Sequence, residues 1–385
     1  MNYDLLFSIL TALFISGALV AYLIPGIVRI AVKKELYDVP DERHIHVGRV
    51  PRLGGVSFLP AMLVSLFVVF SISLPYISST LSVGQYLPMR EILLASAGAL
   101  ILYLTGLADD LSGVRYMHKF AAQIAAASLM CVSGVWLGNL HGFLGIYEIP
   151  AYVGIPLTVL LVMLIVNSIN LIDGIDGLAS GLCILGLLAY TVLFALLGYF
   201  RYSMVGAAAI GSLVAFYGYN VFGRPENHNK IFMGDTGSLF MGYLLAFFAI
   251  KVATQDPVRL SDESQSFFIV YSYSILLLPA FDVMRVFITR VKRRRNPFLP
   301  DKTHIHHKFL ALGLSMRQAR WLIFVVSIFF FAMNILLCFG GVNINLIIIS
   351  DVLVWCIFHA VMTRQIMKRY ERPGIVTINT DLINF

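Results

Sequence analysis

The chain contains a succession of apolar runs, each long enough to cross a lipid bilayer, which takes ~20 residues in a helix. They begin near Leu5, Leu53, Ile92, Phe120, Tyr152, Leu178, Tyr202, Leu239, Phe267, Trp321 and Asn345. Hydrophobic residues make up 59% of the 385 residues and charged residues only 13%, which is far from the balance of a soluble domain. We therefore predict an all-α fold, a polytopic integral membrane bundle of about 11 transmembrane helices. No composition shift divides the chain, so residues 1–385 are predicted to form one membrane domain.

The basic residues alternate from one side of these runs to the other. All lysines and arginines except Arg90, Arg201, Lys251 and Arg259 fall in every second loop, in its flanks or in the C-terminal tail. The positive-inside rule predicts that these loops face the cytoplasm, with the N-terminus outside and the C-terminus cytoplasmic. Because the net charge of +7 follows the membrane in this way, it does not indicate a nucleic-acid partner.

Polar motifs are concentrated in the five loops that this rule assigns to the cytoplasm. These loops span about residues 35–58, 106–120, 167–181, 220–238 and 289–316. The loops on the opposite side carry no comparable cluster. Polar loops that converge on one face of a membrane protein are typical of an active site.

The third loop, NSINLIDGIDGLASG, repeats a polar residue every three positions: Asn167, Asn170, Asp173 and Asp176. Residues three apart share a helix face. Gly174 and Gly177 allow the backbone to break where the apolar run ends. Two carboxylates in such a turn indicate a divalent metal with a phosphorylated ligand. A polar cap between two helices is an equally favoured alternative.

The second loop places Asp109 and Asp110 side by side after an apolar run. Adjacent carboxylates repel each other, so the pair is disfavoured at a membrane surface without a cation. Lys119, near the start of the next run, could neutralise them or bind a lipid phosphate. A solvated helix cap is the alternative.

Asp235 lies between two glycines in FMGDTGS, directly before an apolar run. Hard oxygen ligands from separate loops suit Mg²⁺, which binds through one or two carboxylates together with substrate phosphates. The alternative is an N-cap, since Asp followed by Thr and Gly starts helices well.

The fifth loop contains His304, His306 and His307 close to Lys302 and Lys308. This group could hold a diphosphate by charge and hydrogen bonds. Zinc is disfavoured, because no cysteine or fourth ligand is near.

Asp351 lies deep in the last apolar run, with His359 eight residues later. A proton path or a buried pair are alternatives for these two, and an interhelical hydrogen bond is the favoured interpretation.

Taken together, ADDLSG, NSINLIDGIDGLASG, FMGDTGS and DKTHIHHKF resemble the polyprenyl-phosphate N-acetylhexosamine-1-phosphate transferase family. Its members include the translocase of peptidoglycan synthesis and enzymes that start O-antigen, teichoic acid and arabinogalactan chains. The resemblance implies that undecaprenyl phosphate, or another polyprenyl phosphate, attacks the β-phosphate of a UDP-N-acetylhexosamine. The products are the lipid diphosphate sugar and UMP, and Mg²⁺ is the cofactor, with Mn²⁺ as the alternative.

The resemblance also implies roles for residues. The catalytic group is Asp109, Asp110, Lys119 and Asp235, and the metal ligands come from Asp110, Asp173 and Asp235. The residues implied to bind substrate are Asn167, Asn170, Asp173, Asp176, Phe232, His304, His306 and His307. Phe232 would stack on the uracil, and Asn220 is a guess for the partner of the uracil edge.

The HIHH motif resembles the subgroup that uses UDP-GlcNAc, in the bacterial inner membrane with the site facing the cytoplasm. This would be the first membrane step of a cell-envelope glycan, in cell wall or lipopolysaccharide biogenesis. Another UDP-N-acetylhexosamine or UDP-MurNAc-pentapeptide stays open as the donor, and so does a homodimer. A flippase or transporter of lipid-linked sugars is the alternative from a different class. Transporters usually carry polar groups at the bilayer midplane and repeated halves, neither of which the sequence favours.

Overall fold

The computed structural model describes residues 3–37, 50–80, 89–255, 266–294 and 304–370. The helices are α1 (Tyr3–Lys33), α2 (Phe58–Thr80), α3 (Met89–Ser112), α4 (Tyr116–Val132), α5 (Ala151–Ile172), α6 (Leu178–Leu196), α7 (Phe200–Phe222), α8 (Gly234–Ala253), α9 (Phe267–Ser274), α10 (Leu277–Lys292), α11 (Ile305–Ala311), α12 (Met316–Phe339) and α13 (Ile344–Tyr370). Two short antiparallel strands, β1 (Asn139–Phe143) and β2 (Ile146–Glu148), form a hairpin between α4 and α5.

The predicted all-α, polytopic membrane fold is confirmed. Nine of the described helices are long and apolar enough to cross a bilayer, and α9 with α10, bent by 67°, would make a tenth span. The remaining predicted run is α4, which has 17 residues. Each predicted run thus corresponds to one helix or to the bent pair, whereas the number of helices that cross the bilayer and the sidedness of the termini stay predictions.

The chain folds into two compact units, and each unit joins separate stretches of sequence. Unit 1 comprises Met1–Trp136 and Ile155–Lys251, and therefore holds α1 to α4, most of α5, α6, α7 and nearly all of α8. Unit 2 comprises Leu137–Gly154 and Val252–Phe385, with the hairpin and α9 to α13. A single domain over residues 1–385 stays a prediction.

Small residues bring α1 and α7 together in unit 1. A Cβ atom added at Gly211 of α7 would lie 2.0 Å from the carbonyl oxygen of Leu13 in α1. The hydroxyl groups of Ser16 and Ser212 lie 2.6 Å apart at the same crossing. Apolar side chains gain little by leaving lipid, so close backbone approach and hydrogen bonds of this kind hold membrane helices together.

Unit 1 also contains a buried ion pair that the sequence analysis missed. The Nζ atom of Lys251 in α8 donates to Glu91 of α3 at 2.9 Å, and the Tyr202 hydroxyl of α7 donates to the same carboxylate. Glu91 is only 4% exposed, so these two partners satisfy a charge that would otherwise be costly to bury. Lys251 is one of the basic residues outside the predicted cytoplasmic loops, and this pairing explains its place in the chain.

In unit 2, Asp351 of α13 joins three helices. Its Oδ2 atom accepts from the Tyr273 hydroxyl of α9 at 3.2 Å and from the Asn334 amide of α12 at 3.1 Å. The favoured interpretation, an interhelical hydrogen bond, is therefore confirmed. His359 instead packs against the Trp355 ring, with 4.2 Å between ring centroids.

Removing this carboxyl group should destabilise unit 2. In Asp351→Leu, the Tyr273 hydroxyl loses its acceptor in an apolar environment, and the Asn334 amide keeps only Ser274 Oγ. We expect the free energy of unfolding to fall by about 1–3 kcal/mol. Asp351→Asn keeps a carbonyl acceptor and should cost less. Thermal unfolding in detergent checks this, and equal losses in the two variants would contradict it.

Candidate functional site

The first turn of α8 is held by a carboxylate from another helix. Asp110, near the end of α3, accepts through Oδ1 from the backbone N–H of Asp235 at 2.8 Å. Its Oδ2 atom accepts from the backbone N–H of Thr236 at 2.9 Å and from the Thr236 hydroxyl at 2.6 Å. The first N–H groups of a helix have no partner within the helix and attract a negative charge. Asp110 thus caps α8 from outside, and both of its oxygen atoms are engaged.

The neighbouring carboxylate, Asp109, turns toward a lysine. The Nζ atom of Lys119 in α4 donates to Asp109 Oδ2 at 3.0 Å and to Asp235 Oδ2 at 2.7 Å. The side chains are 17% exposed for Asp109, 24% for Lys119 and 22% for Asp235, so all three stay accessible to a ligand. One ammonium group therefore joins two carboxylates from helices far apart in the sequence.

Local sequence explains how these residues meet. Gly113, with φ of +71°, lies in the short turn between α3 and α4, and the chain reverses so that Lys119 returns beside Asp109. Gly106 lies one turn before the two aspartates on α3. A Cβ atom at Gly106 would lie 2.5 Å from the Asp235 carbonyl oxygen, so the α3 backbone touches the start of α8 here.

The two asparagines of α5 have different partners. The Nδ2 atom of Asn170 donates to Asp235 Oδ1 at 3.1 Å and to Ser238 Oγ at 2.8 Å, which places Asn170 in the same cluster. Asn167 instead exchanges hydrogen bonds with Gln123 of α4, one turn beyond Lys119. This amide pair ties α4 to α5. The predicted role of Asn167 in substrate binding stays a prediction.

The predicted break after α5 is confirmed, because α5 ends at Ile172 and α6 begins at Leu178. Burial raises the pKa of the Asp173 carboxyl well above its usual range, and the nearby charge of Asp235 acts in the same direction. Asp176 forms an ion pair with Lys230, a residue that the sequence analysis missed. The sequence did offer one indication of Lys230, because this residue lies two positions before Phe232, a predicted substrate-binding residue.

Asn220 forms hydrogen bonds with backbone groups of this region. Its Oδ1 atom accepts from the N–H of Gly177 at 2.6 Å, and its Nδ2 atom donates to the Ile231 carbonyl at 2.9 Å. Asn220 is 4% exposed, and it connects the turn after α5 to the segment before α8. The suggested hydrogen bond between Asn220 and the uracil edge stays a prediction. The two observed hydrogen bonds give Asn220 a structural role.

Phe232 lies in a segment that pairs with the first predicted loop. Its N–H donates to the Pro51 carbonyl at 2.8 Å, and its carbonyl accepts from Gly54 at 2.9 Å. The ring is partly exposed. Arg52 lies on the same paired segment, and its charge acts on Asp173 by lowering that pKa against the effect of burial. Residues 38–49 of this loop lie outside the described residues.

The cluster of Asp109, Lys119, Asn170 and Asp235 offers oxygen donors of the kind that Mg²⁺ prefers. Within the described ranges, no three carboxylate, imidazole or thiol side chains are arranged to hold a metal ion. Asp109 and Asp235 do gather around one cation, the Lys119 ammonium. They therefore fit an ion held by one or two carboxylates and by substrate phosphates. The predicted ligand roles of Asp110 and Asp173 stay predictions.

The histidines belong to unit 2 and form a group of their own. The His304 and His306 rings are parallel, with 2° between planes and 5.9 Å between centroids, and the His307 ring centroid is 4.1 Å from that of His306. Burial lowers the pKa of His306 well below its usual value, and burial together with the Arg285 charge lowers the pKa of Lys308 to about 7. Lys302 lies outside the described residues.

Comparisons with known proteins give a consistent result. Residues 92–253 match the model of glycosyl transferase family 4. The chain is 29% identical over 365 residues to the probable undecaprenyl-phosphate N-acetylglucosaminyl 1-phosphate transferase of Bacillus subtilis, covering 94% of each chain. It is 30% identical over 327 residues to the decaprenyl-phosphate N-acetylglucosaminephosphotransferase of Mycolicibacterium smegmatis, covering 81% of this chain and 78% of that one. The undecaprenyl-phosphate alpha-N-acetylglucosaminyl 1-phosphate transferase of Escherichia coli K12 is 26% identical over 352 residues, covering 89% of each chain.

The two adjacent aspartates should respond differently to removal. Asp110→Ala leaves the first turn of α8 without its cap, so we expect the free energy of unfolding to fall by about 1–2 kcal/mol. Asp109→Ala leaves α8 capped but removes a partly exposed ion pair and the hydrogen bond that Asp109 Oδ1 accepts from the backbone N–H of Val114 at 2.7 Å, so we expect a smaller loss of stability than for Asp110→Ala. Parallel thermal unfolding in detergent measures both. A larger loss for Asp109→Ala would contradict the capping role of Asp110.

Proposed function

We propose that this chain, which belongs to the polyprenyl-phosphate N-acetylhexosamine-1-phosphate transferase family, transfers N-acetylglucosamine 1-phosphate from UDP-GlcNAc to undecaprenyl phosphate or another polyprenyl phosphate. The phosphate of the lipid attacks the β-phosphorus of the sugar nucleotide. The bond from that phosphorus to the bridging oxygen breaks, and UMP leaves with the oxygen. The products are polyprenyl-diphosphate-GlcNAc and UMP.

The Lys119 ammonium, held between Asp109 and Asp235, is the observation that carries the proposal. It is a partly exposed cation fixed in place by two carboxylates, at distances of 3.0 and 2.7 Å. A phosphate monoester has a second pKa of ~6, so the acceptor is already largely anionic at neutral pH. The reaction therefore needs charge neutralisation and alignment of two anions more than it needs a strong base. Lys119 supplies a positive charge for the acceptor phosphate.

The remaining residues of the cluster hold this arrangement. Asn170 donates to the oxygen of Asp235 that Lys119 does not contact, which fixes the plane of that carboxylate. Asp235, with Asp109 or Asp173 beside it, would hold Mg²⁺, or Mn²⁺ in its place. When bound, the ion supplies further charge neutralisation for the diphosphate of the donor.

We assign the uridine end of the donor to the region of Phe232 and the turn after α5. The partly exposed Phe232 ring offers a stacking surface for uracil. Lys230 neutralises Asp176 next to it, so that an anionic nucleotide meets less negative charge. Asp173 and Asp176, in the turn between α5 and α6, lie at the edge of this region that is next to α6.

The sidedness of the lysines and arginines supports an active site that faces the cytoplasm, where sugar nucleotides are made. The chain is a multi-pass membrane transferase. We propose the bacterial inner membrane as its location, because the relatives named above are bacterial. The reaction would then begin a cell-envelope glycan.

We predict that the detergent-solubilised protein forms butanol-extractable lipid label from UDP-[³H]GlcNAc, polyprenyl phosphate and Mg²⁺, with release of UMP. Asp235→Asn has nearly the same shape but removes the charge that holds Lys119, so activity should fall by about 100-fold or more. Chelation by EDTA should abolish activity, and added Mg²⁺ should restore it. Glu148→Gln is the matched control, because Glu148 is exposed on β2.

Three results would count against this assignment. Near-normal turnover by purified Asp235→Asn would remove Asp235 from the reaction. Faster transfer from another UDP-sugar than from UDP-GlcNAc would contradict the assignment of UDP-GlcNAc as the donor. Label that only crosses a sealed vesicle, without release of UMP, would favour the transporter instead.

A further inference from the structure

Two side-chain amides of unit 1, Gln123 of α4 and Asn167 of α5, form a reciprocal pair. Gln123 is 1% exposed, and the sequence analysis missed it because it lies in an apolar run. Its Oε1 atom accepts from Asn167 Nδ2 at 2.7 Å, and its Nε2 atom donates to Asn167 Oδ1 at 3.3 Å. Asn167 Nδ2 also donates to the Met163 carbonyl of its own helix at 2.7 Å. Because that carbonyl only accepts hydrogen bonds, it fixes which way both amides are turned.

These bonds use both N–H groups of the Asn167 amide. One points to Gln123 and the other to Met163, and the Asn167 oxygen atom accepts from Gln123. A substrate could take an N–H group of Asn167 only if one of these hydrogen bonds broke, which costs free energy in a partly buried place. The contacts therefore favour a role for Asn167 in holding α4 over the substrate-binding role that the resemblance implies.

The amide pair lies one helical turn from the ion pair of the candidate site. Lys119 and Gln123 are four residues apart on α4. Asn167 and Asn170 are three residues apart on α5, so the members of each couple share a helix face. Asn170 donates to Asp235 Oδ1 at 3.1 Å, and Lys119 donates to Asp235 Oδ2 at 2.7 Å. Helix α5 thus holds the helix of Lys119 through one asparagine and the carboxylate of Asp235 through the other.

Apolar packing alone would leave the position of α4 weakly defined. The rest of its buried face consists of small or apolar residues: Ala126, Ala127, Met130 and Cys131. Apolar contacts are not directional, so they do not by themselves fix the rotation or the axial position of a helix. The Tyr243 hydroxyl of α8 reaches the Ala126 carbonyl only at 3.4 Å. The amide pair adds a short, directional contact that fixes α4 against α5.

The proposed reaction gives this contact a purpose. The acceptor phosphate competes with Asp109 and Asp235 for the positive charge of Lys119, so the ion pairs at the start of α4 weaken as the phosphate binds. The two amides are neutral, and this exchange of charges does not affect their hydrogen bonds. The pair can therefore keep α4 in place while the Lys119 ammonium changes partners.

We propose that Gln123 and Asn167 are positioning residues for the transfer reaction: their amide pair holds α4 against α5 and so keeps the Lys119 ammonium where it meets the phosphate of the lipid acceptor. This rests on the proposed function, in which Lys119 neutralises that phosphate. Neither amide touches a substrate, and both act through the position of α4. Binding of the donor nucleotide, assigned to the region of Phe232, should hardly depend on them.

Gln123→Met removes the amide and nearly keeps the length of the side chain. We expect the KM for polyprenyl phosphate to rise and kcat to fall, each by about 10-fold, because a small displacement of Lys119 weakens its contact with the acceptor. The KM for UDP-GlcNAc should change by less than about twofold. Asn167→Leu should give the same pattern, measured with purified enzyme in detergent.

Two kinetic results would overturn the proposal. One is near-normal kinetics in both variants. The other is a raised KM for UDP-GlcNAc with an unchanged KM for polyprenyl phosphate in Asn167→Leu, because Asn167 would then bind the donor.

An exchange of the two amides is the rescue test. Gln123→Asn shortens one arm of the pair by a methylene group, and Asn167→Gln lengthens the other by the same amount. Each single variant should lose about 10-fold in kcat/KM for polyprenyl phosphate, whereas the double variant restores the combined length and should return to within about threefold of the unchanged protein. A double variant no more active than the worse single variant would overturn the proposal, also where Gln123→Met fails to fold.

Ser65→Ala is the matched control, because the buried Ser65 of α2 donates to the Ala12 carbonyl of α1 at 2.8 Å. It removes an interhelical hydrogen bond of unit 1 without a change in α4 or α5. Its thermal unfolding temperature should fall while the KM for polyprenyl phosphate stays unchanged. An equal rise of that KM in the control would mean that any loss of stability has this effect, and would overturn the proposal. Failure of the proposed function looks different, since the unchanged protein would then release no UMP from UDP-GlcNAc and polyprenyl phosphate.

Discussion

The hydrogen bonds from the first turn of α8 to Asp110 are the constraint on which the candidate site depends. The N–H groups of that turn cannot be satisfied within α8, and in a protein of this hydrophobicity they need an internal acceptor. Asp110 provides it from α3, which brings the α3 backbone against the start of α8 at Gly106. Once these two helices are joined, Asp109 and Asp235 must lie near each other. Their mutual repulsion then favours a cation between them, and Lys119 occupies that position.

Much of this arrangement follows from patterns that act over short distances. Apolar runs predicted every helix except the short α11, with α9 and α10 as one run, and the glycines of the third loop predicted the break between α5 and α6. The separate motifs around Asp109, Lys119 and Asp235 were each ambiguous, because an aspartate beside a helix start can be a cap or a ligand. Asp110 turned out to be a cap, but for a different helix from its own. Spacing along one helix could not indicate this, since the partner is 125 residues away.

Other side-chain contacts depend on which of several chemically similar partners the fold brings close to a residue. Asn167 and Asn170 are one turn apart on α5, yet one pairs with Gln123 and the other with Asp235. Asp282 lies inside an apolar run and Glu91 lies at the start of one, and both are buried beside cationic partners that the fold brings to them. Helical periodicity identifies the face on which a residue lies but not the residue that it meets, so these contacts could not be predicted from one sequence.

The charges of unit 1 give the strongest physical reason for the proposed divalent cation. Among the described residues, its candidate site contains the carboxyl groups of Asp109, Asp110, Asp173, Asp176 and Asp235 and the cations Lys119, Lys230 and Arg52, and burial keeps the pKa of the Asp173 carboxyl well above its usual range. Lys119 and Lys230 neutralise carboxylates through ion pairs. Two unit charges 4 Å apart interact by about 4 kcal/mol at an effective dielectric constant of ~20, so an added phosphate would be repelled appreciably by each ionised carboxylate near it. Further positive charge that enters with a lipid phosphate and a sugar nucleotide would offset this repulsion and help to bring the two anions together. The side chains of Asp109 and Asp235, 17% and 22% exposed, are the carboxylates that we propose to hold it, and the ligand roles of Asp110 and Asp173 stay predictions.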